Sequence, residues 1–192
     1  MKKILLTAVV MLASVASYAQ QAVGAFTLQP KIGMNIANIT NSDGADSRIG
    51  LAAGVEAEYH ATDIFSVSAG LIYSMQGAKT TEDGIDYTMK LDYLNVPILA
   101  NVYVAPGFAV KFGVQPGFNL SAKIKGKVSG ASAEADVDGI KGFDFAIPVG
   151  VSYQYQNVVL DARYNWGVTK IMDDVDSKNS VFQITLGYKF AL

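Results

Sequence analysis

The chain predicts an all-β fold, an eight-stranded antiparallel up-and-down transmembrane β-barrel, and three observations carry that expectation. After residue 20 the sequence shows no long apolar stretch and no sustained helical period, only runs that alternate with period two. In each run one face is greasy and the other is small or polar. The connections alternate short and long, so with an even number of strands every long one falls at the same end of the sheet.

The elements follow in order. Lys2 and Lys3, an almost continuously apolar Ile4 to Ala16, and small residues on either side of Tyr18 spell a secretory signal peptide over residues 1–19. Cleavage falls between Ala19 and Gln20, leaving residues 20–192 as the barrel domain. The first run places Leu28, Pro30, Ile32, Met34 and Ile36 against Gln29, Lys31, Gly33 and Asn35. The second sets Leu51 to Tyr59 against Gly54, Glu56, Glu58 and His60, and the third sets Phe65 to Tyr73 against Ser66, Ser68, Gly70 and Ser74. Leu91–Val104 is less clean. Phe108–Leu120, Phe143–Tyr155, Val158–Thr169 and Val181–Leu192 then alternate clearly. Short links are expected at His60–Asp63, Ala105–Gly107 and Gln156–Asn157, each with turn-forming residues. Long polar loops are expected at Asn38–Arg48, Lys79–Tyr87, Lys125–Lys141 and Ile171–Asn179, the third of them a flexible strip with no fixed pocket.

Side-chain volume decides which face is the interior. The polar face carries Gly33, Gly54, Gly70, Gly113, Gly117, Gly150, Gly167 and Gly187 with Ser66, Ser68, Ser74 and Ser152. A solvent-exposed face has no reason to be so small, whereas an eight-stranded barrel has an interior only wide enough for side chains. The greasy face therefore meets lipid. Its Tyr59, Phe65, Tyr73, Phe108, Tyr153, Tyr155, Tyr164, Trp166, Tyr188 and Phe190 fall mostly toward run ends, as interfacial aromatic girdles do. The inner face holds Lys31, Lys111, Arg163 and Lys189 against Glu56, Glu58, Asp144 and Asp161. Charge balance of that kind is what a narrow, poorly hydrated lumen requires.

Composition removes whole classes of function. The 192 residues carry 15 basic and 17 acidic side chains, a formal net charge of -2, which offers no basic face to nucleic acid. The absence of cysteine excludes disulfides, thiol catalysis, Cys-ligated metals and a lipidated N-terminal cysteine.

Three segments together resemble the small outer-membrane β-barrel family of Bacteroidota often labelled PorT-like: Pro30–Asn38 of the first strand, Leu91–Leu99 in mid-chain, and Gly113-Val114-Gln115-Pro116-Gly117 of the fifth strand. The resemblance covers essentially all of residues 20–192. It implies an outer-membrane barrel of eight strands in a Gram-negative cell, and the alternation of short and long links over an even strand count matches periplasmic termini and extracellular long loops. The family takes its name from a member tied to secretion, but the matching residues describe the barrel wall and transfer no secretion residue. The last strand also looks like the C-terminal signal read by the barrel-assembly machinery, ending in Leu192 where that signal has an aromatic.

No constellation of catalytic groups emerges. His60 is the single histidine and falls at a short turn, as a polar residue of the periplasmic interface, so a Ser-His-carboxylate set at the long-loop rim is impossible. A carboxylate-only arrangement stays open. The acidic loops, with Asp43 and Asp46, then Glu82, Asp83 and Asp86, then Asp173, Asp174 and Asp176, lack the spacing of a helix-loop-helix calcium site. They read as solvated loops beside anionic lipid, with divalent ions a means of bridging to lipid phosphates. Neither a metal nor a cofactor is expected. The leading function is a structural or interaction barrel with a filled lumen, whose partners are outer-membrane lipid, lipopolysaccharide, the assembly machinery and an unidentified protein. The alternatives are a narrow pore lined by Glu56, Glu58, Lys111, Asp161 and Arg163, an outer-membrane enzyme by analogy, and a soluble periplasmic carrier of lipocalin type.

Overall fold

A computed structural model describes residues 22–42, 44–82, 84–128, 131–173 and 175–192. The signal segment with its Ala19–Gln20 cleavage point, and Asp43, Asp83, Ser129, Gly130 and Asp174, lie outside the described residues. Eleven strands form one antiparallel sheet: β1 (Phe26–Ile39), β2 (Asp46–Thr62), β3 (Phe65–Glu82), β4 (Ile85–Asn95), β5 (Ile98–Ala105), β6 (Phe108–Val128), β7 (Ala131–Asp136), β8 (Phe143–Tyr155), β9 (Val158–Gly167), β10 (Asn179–Tyr188) and β11 (Phe190–Ala191).

These strands fill eight positions in a closed ring. β4 and β5 share one position and β10 and β11 another, while β7 stands outside the ring, paired only with β6. Closure comes from β1 pairing with β10, from Lys31 opposite Gly187 to Ile39 opposite Asn179. A closed ring leaves no unpaired backbone in the wall, which is the condition for a sheet to cross a bilayer.

The less clean run Leu91–Val104 is two strands rather than one. Pro97 has no N–H to give to the ladder, so the strand breaks at Val96–Pro97. The wall stays tied across the break, because Val96 N–H donates to Pro116 O at 2.8 Å and Gly70 N–H donates to Pro97 O at 3.0 Å.

Two of the four expected long loops are largely strand. β3 runs on to Glu82 and β4 begins at Ile85, so Lys79–Tyr87 is the tip of a hairpin. The third loop is corrected in the same way. Lys123–Val128 of β6 pairs with Ala131–Asp136 of β7, making a hairpin that extends the sheet beyond the ring where a flexible strip was expected. Alternation is present there, Lys123, Lys125 and Lys127 against Ile124, Gly126 and Val128, but β7 is exposed on both faces and its apolar side is mostly alanine, so nothing in composition sets it apart from a polar loop.

The inner-face glycines make room for long neighbours. Lys31 sits between Gly54 and Gly187 in register, Gly150 lies between Lys111 and Arg163, and Gly70 lies opposite Glu56. A Cβ on Gly150 would stand 2.4 Å from the Ala162 carbonyl oxygen and 2.6 Å from Arg163 Cβ. Neither is a flexible chain end, so the wall itself would have to shift. Gly150→Ala is therefore expected to destabilise the refolded barrel by about 1–3 kcal/mol, read as a lower urea midpoint. Gly142→Ala, with open space around it, is the control that should leave the midpoint unchanged.

Candidate functional site

The lumen is built by inward positions of every ring strand. At its centre β1 contributes Lys31, β2 Glu56, β6 Lys111, and β9 both Asp161 and Arg163, all of them buried. Lys31 Nζ donates to Glu56 Oε2 at 2.9 Å and lies 3.7 Å from Asp161 Oδ2. Lys111 Nζ donates at 2.9 Å to both Glu56 Oε1 and Asp161 Oδ2. The Arg163 guanidinium donates to Asp161 Oδ1 at 2.7 Å and Oδ2 at 2.8 Å, and to Glu56 Oε2 at 3.1 Å. Each carboxylate thus meets all three cations. Together they form a knot of three positive and two negative groups across the narrow interior.

A second group lies toward the short-turn end. Lys189 Nζ donates to Glu58 Oε2 at 2.7 Å, and the hydroxyls of Ser66 and Tyr103 donate to Glu58 Oε1. His60 belongs here: it is buried on the inner face of β2, with Nε2 3.6 Å from Glu58 and its ring 5.7 Å from Tyr103. The sequence reading placed it as an interfacial turn residue. Period two holds in β2 through His60, turning it inward with Glu56 and Glu58, before the register shifts between His60 and Thr62. Between this group and the knot lies a cavity of about 10 Å³, lined by Gln29, Asn101, Ser152 and Lys189 among others. It has room for about one water.

Asp144 faces inward but takes no part in an ion pair among the described residues. It accepts hydrogen bonds from Thr169 Oγ1 at 2.6 Å and Asn179 Nδ2 at 3.2 Å. The four-against-four balance also changes, because Arg48 is a further buried inner cation, donating to the Gln76 carbonyl. Sequence reasoning assigned Arg48 to a loop. The signal for it was the Arg48–Ile49–Gly50–Leu51 alternation that carries β2 outward.

An apolar stopper fills the long-loop end. Ile39, Ala78, Leu91, Tyr93 and Ile171 pack together inside the ring, with Met89, Ala122, Ile140 and Met172 against them. Ile171 reaches the site from the last loop, held by Lys141 N–H donating to Ile171 O at 2.9 Å and Ile171 N–H donating to Ser177 O at 2.8 Å. No alternating run marks Ile171, and its role follows from the loop folding back over the barrel.

On the outer wall the aromatic residues form two belts. Tyr59, Phe65, Phe108, Tyr153, Tyr155, Tyr188 and Phe190 stand on the outer face near the short-turn end, where Phe26 stacks on Tyr59 and Tyr188 on Phe190 at 4.7 Å. Tyr73, Tyr164 and Trp166 stand near the other end. Phe118, an expected greasy-face aromatic, and Phe143 join that belt in edge contact at 5.8 Å. Among the described residues no group of three His, Cys, Asp or Glu side chains is placed to hold a metal ion.

A closed antiparallel ring of eight positions, greasy outside and filled by ion pairs within, defines a small barrel of the outer membrane. The family profile described as "Outer membrane protein beta-barrel domain" matches residues 18–173, and the chain belongs to that family. Among solved structures it is similar to Ail, the attachment invasion locus protein of Yersinia pestis, at 17% identity and TM-score 0.50, over 88% of this chain and 100% of that one. Ail in complex with the heparin analogue sucrose octasulfate matches at 16% identity and TM-score 0.53, again over 88% and 100%. Neisserial surface protein A matches at 16% identity and TM-score 0.49, over 87% and 99%. The two Ail structures, at this identity, speak for the fold alone. No curated protein matches by sequence.

Proposed function

We propose that the protein is a closed structural and interaction barrel, not an enzyme and not an open pore, exported by its N-terminal segment and inserted with periplasmic termini and extracellular long connections. The observation that carries this reading is the stoppered lumen, with five buried charges knotted across its middle and an apolar cap over its long-loop end. Opening a path would require breaking several buried ion pairs together, each of which leaves an uncompensated charge. What remains for recognition is the outside: lipid and lipopolysaccharide around the wall, the assembly machinery during insertion, and an unidentified protein partner. The PorT-like affinity within the family rests on wall residues and adds no secretion role.

A narrow conduit is the second reading, favoured by inner polar atoms that have no protein partner: Gln29 Nε2, Arg163 Nη1, Gln183 Nε2 and Thr185 Oγ1. Such atoms are what a partly wetted lumen contains. Ion conductance of the refolded, heat-modifiable protein in a planar bilayer separates the two. The closed barrel is expected to be silent. Discrete openings whose ion selectivity changes with Glu56→Gln or Arg163→Gln would overturn it and make the knot a filter.

A further inference from the structure

Strand register beyond the membrane wall gathers lysines on one face. Across β2, β3, β4, β6 and β7 the paired residues Asp46, Lys79, Thr88, Lys125 and Glu134 form one continuous row. In the neighbouring rows on the same face, Asp86 is opposite Lys127 and Lys90 is opposite Lys123. Directly opposed residues in an antiparallel sheet share a face. Ala78 and Leu91, on the other face, are buried in the apolar cap, so these lysines point outward, away from the lumen.

That outward face is the one that continues down into the lipid-facing wall. Its polar boundary is marked by Tyr73, whose hydroxyl donates to Asp92 Oδ2 at 2.7 Å. Thr88 lies four residues beyond Asp92, roughly 13 Å along a strand at about 3.3 Å per residue. With the strand tilt of about 40° usual in such barrels, the row stands roughly 10 Å above the boundary, at the level of lipid headgroups.

The lysines are not equivalent. Lys90 and Lys123 are engaged by Glu134, at 2.6 and 3.8 Å. The hydrogen bond from Lys90 holds the Glu134 carboxyl below the usual carboxylate range, with Lys123 and, from a greater distance, Lys125 acting in the same direction. Lys79, Lys125 and Lys127 form no ion pair with a carboxylate among the described residues. They line a groove of about 350 Å³ with Thr81 and Thr88 of their own face and with Thr80 and Tyr87 of the adjoining row. Asp46 and Asp86 also line it, Asp86 accepting the Thr81 hydroxyl at 2.8 Å, so three ammonium groups face two carboxylates and the groove keeps a net positive charge. From strand spacings of about 4.8 Å, Lys79 and Lys125 stem about 10 Å apart, with Lys127 about 7 Å from Lys125. Three flexible ammonium groups around a hydroxyl at that spacing converge readily on one phosphate.

We propose that this groove binds a phosphate of an outer-leaflet glycolipid headgroup, held by Lys79, Lys125 and Lys127 with the Thr88 hydroxyl between them. The assignment rests on the outward orientation proposed above. It gives the barrel a fixed lipid on the β3–β6 side, where the hairpin leaves the wall.

The test compares the full refolded chain in detergent micelles with the Lys79→Gln/Lys125→Gln/Lys127→Gln variant. The probes are lipopolysaccharide and the same preparation after removal of its phosphates. The variant is expected to bind the phosphorylated form at least 10-fold more weakly, to bind the dephosphorylated form unchanged, and to keep its heat-modifiable gel mobility. Equal binding of phosphorylated lipopolysaccharide by both proteins would overturn the site. Binding abolished by a chelator yet kept by the triple variant would move recognition to a divalent ion on Asp46 and Asp86. Displacement by millimolar inorganic phosphate would make it a free-phosphate pocket. Orientation is read separately: the chain has no cysteine, so Ser132→Cys in β7 gives one labelling point. Labelling of intact cells by an impermeant maleimide is expected, and its absence would overturn the orientation whatever the micelles show.

Discussion

Glu56→Gln is expected to lower the unfolding free energy of the refolded barrel by about 3–5 kcal/mol, and Lys31→Met by distinctly less. The asymmetry follows from the central knot, where three cations share two carboxylates. Glutamine keeps the size and shape of Glu56 but removes its charge, leaving Lys31, Lys111 and Arg163 around Asp161 alone. Removing Lys31 instead leaves two cations on two carboxylates, and methionine fills much of the space that the lysine stem occupied. Urea midpoints in detergent or vesicles, with gel mobility as a check of folding, read both variants. Equal costs, or a larger cost for Lys31→Met, would show that packing and not charge arithmetic governs the interior.

Ile184→Arg acts from the other side of the wall. Ile184 lies midway along β10, opposite Met34 of β1 and Ala162 of β9, on the greasy face. If that face meets hydrocarbon, an arginine near the bilayer midplane costs about 2–4 kcal/mol, falling toward the interfaces. The expected result is a midpoint shift of that size in lipid vesicles, and a smaller one for an arginine at Tyr155, close to the short-turn interface. A soluble lipocalin-like barrel would give a different pattern. There the greasy face would be the core, yet Ile32, Leu186 and Trp166 are 60%, 53% and 64% exposed on the outside of the ring.

Those exposures also explain why so much could be read without coordinates. A strand has two faces, and in a membrane barrel they meet two different solvents, so alternation from Val181 to Leu192 carries both the secondary structure and the direction of each side chain. Glycine on the polar face supplied the remaining choice between inside and outside, because only a crowded interior requires so little volume. The knot's five members were visible as inward charges for the same reason. Their pairing was not, since it joins β1, β2, β6 and β9 across the lumen, and no spacing in the chain encodes which ammonium meets which carboxylate.

What eluded the sequence shares one physical origin. The β6–β7 hairpin is held by backbone pairing with β7 exposed on both faces and its apolar side mostly alanine, too weak a contrast to mark a strand. Arg48 was hidden because it opens the alternating run, where a charged residue next to a polar loop reads as part of the loop although Ile49 and Leu51 mark the outer side beyond it. Ile171 joins the apolar cap only because a loop folds back over the ring, and Asp144 finds Thr169 and Asn179 rather than a cation. By itself, the sequence determined the eight wall positions and their inner and outer faces, since each depends on the local contrast between lipid and lumen, while the extent of the strands beyond the wall and the break at Pro97 came from the fold. The tertiary structure decided the rest: the apolar cluster at the long-loop end, the choice of ion-pair partners and the outward lysine groove. Each of these brings together residues far apart in the chain, at distances that only ring closure and strand register can set.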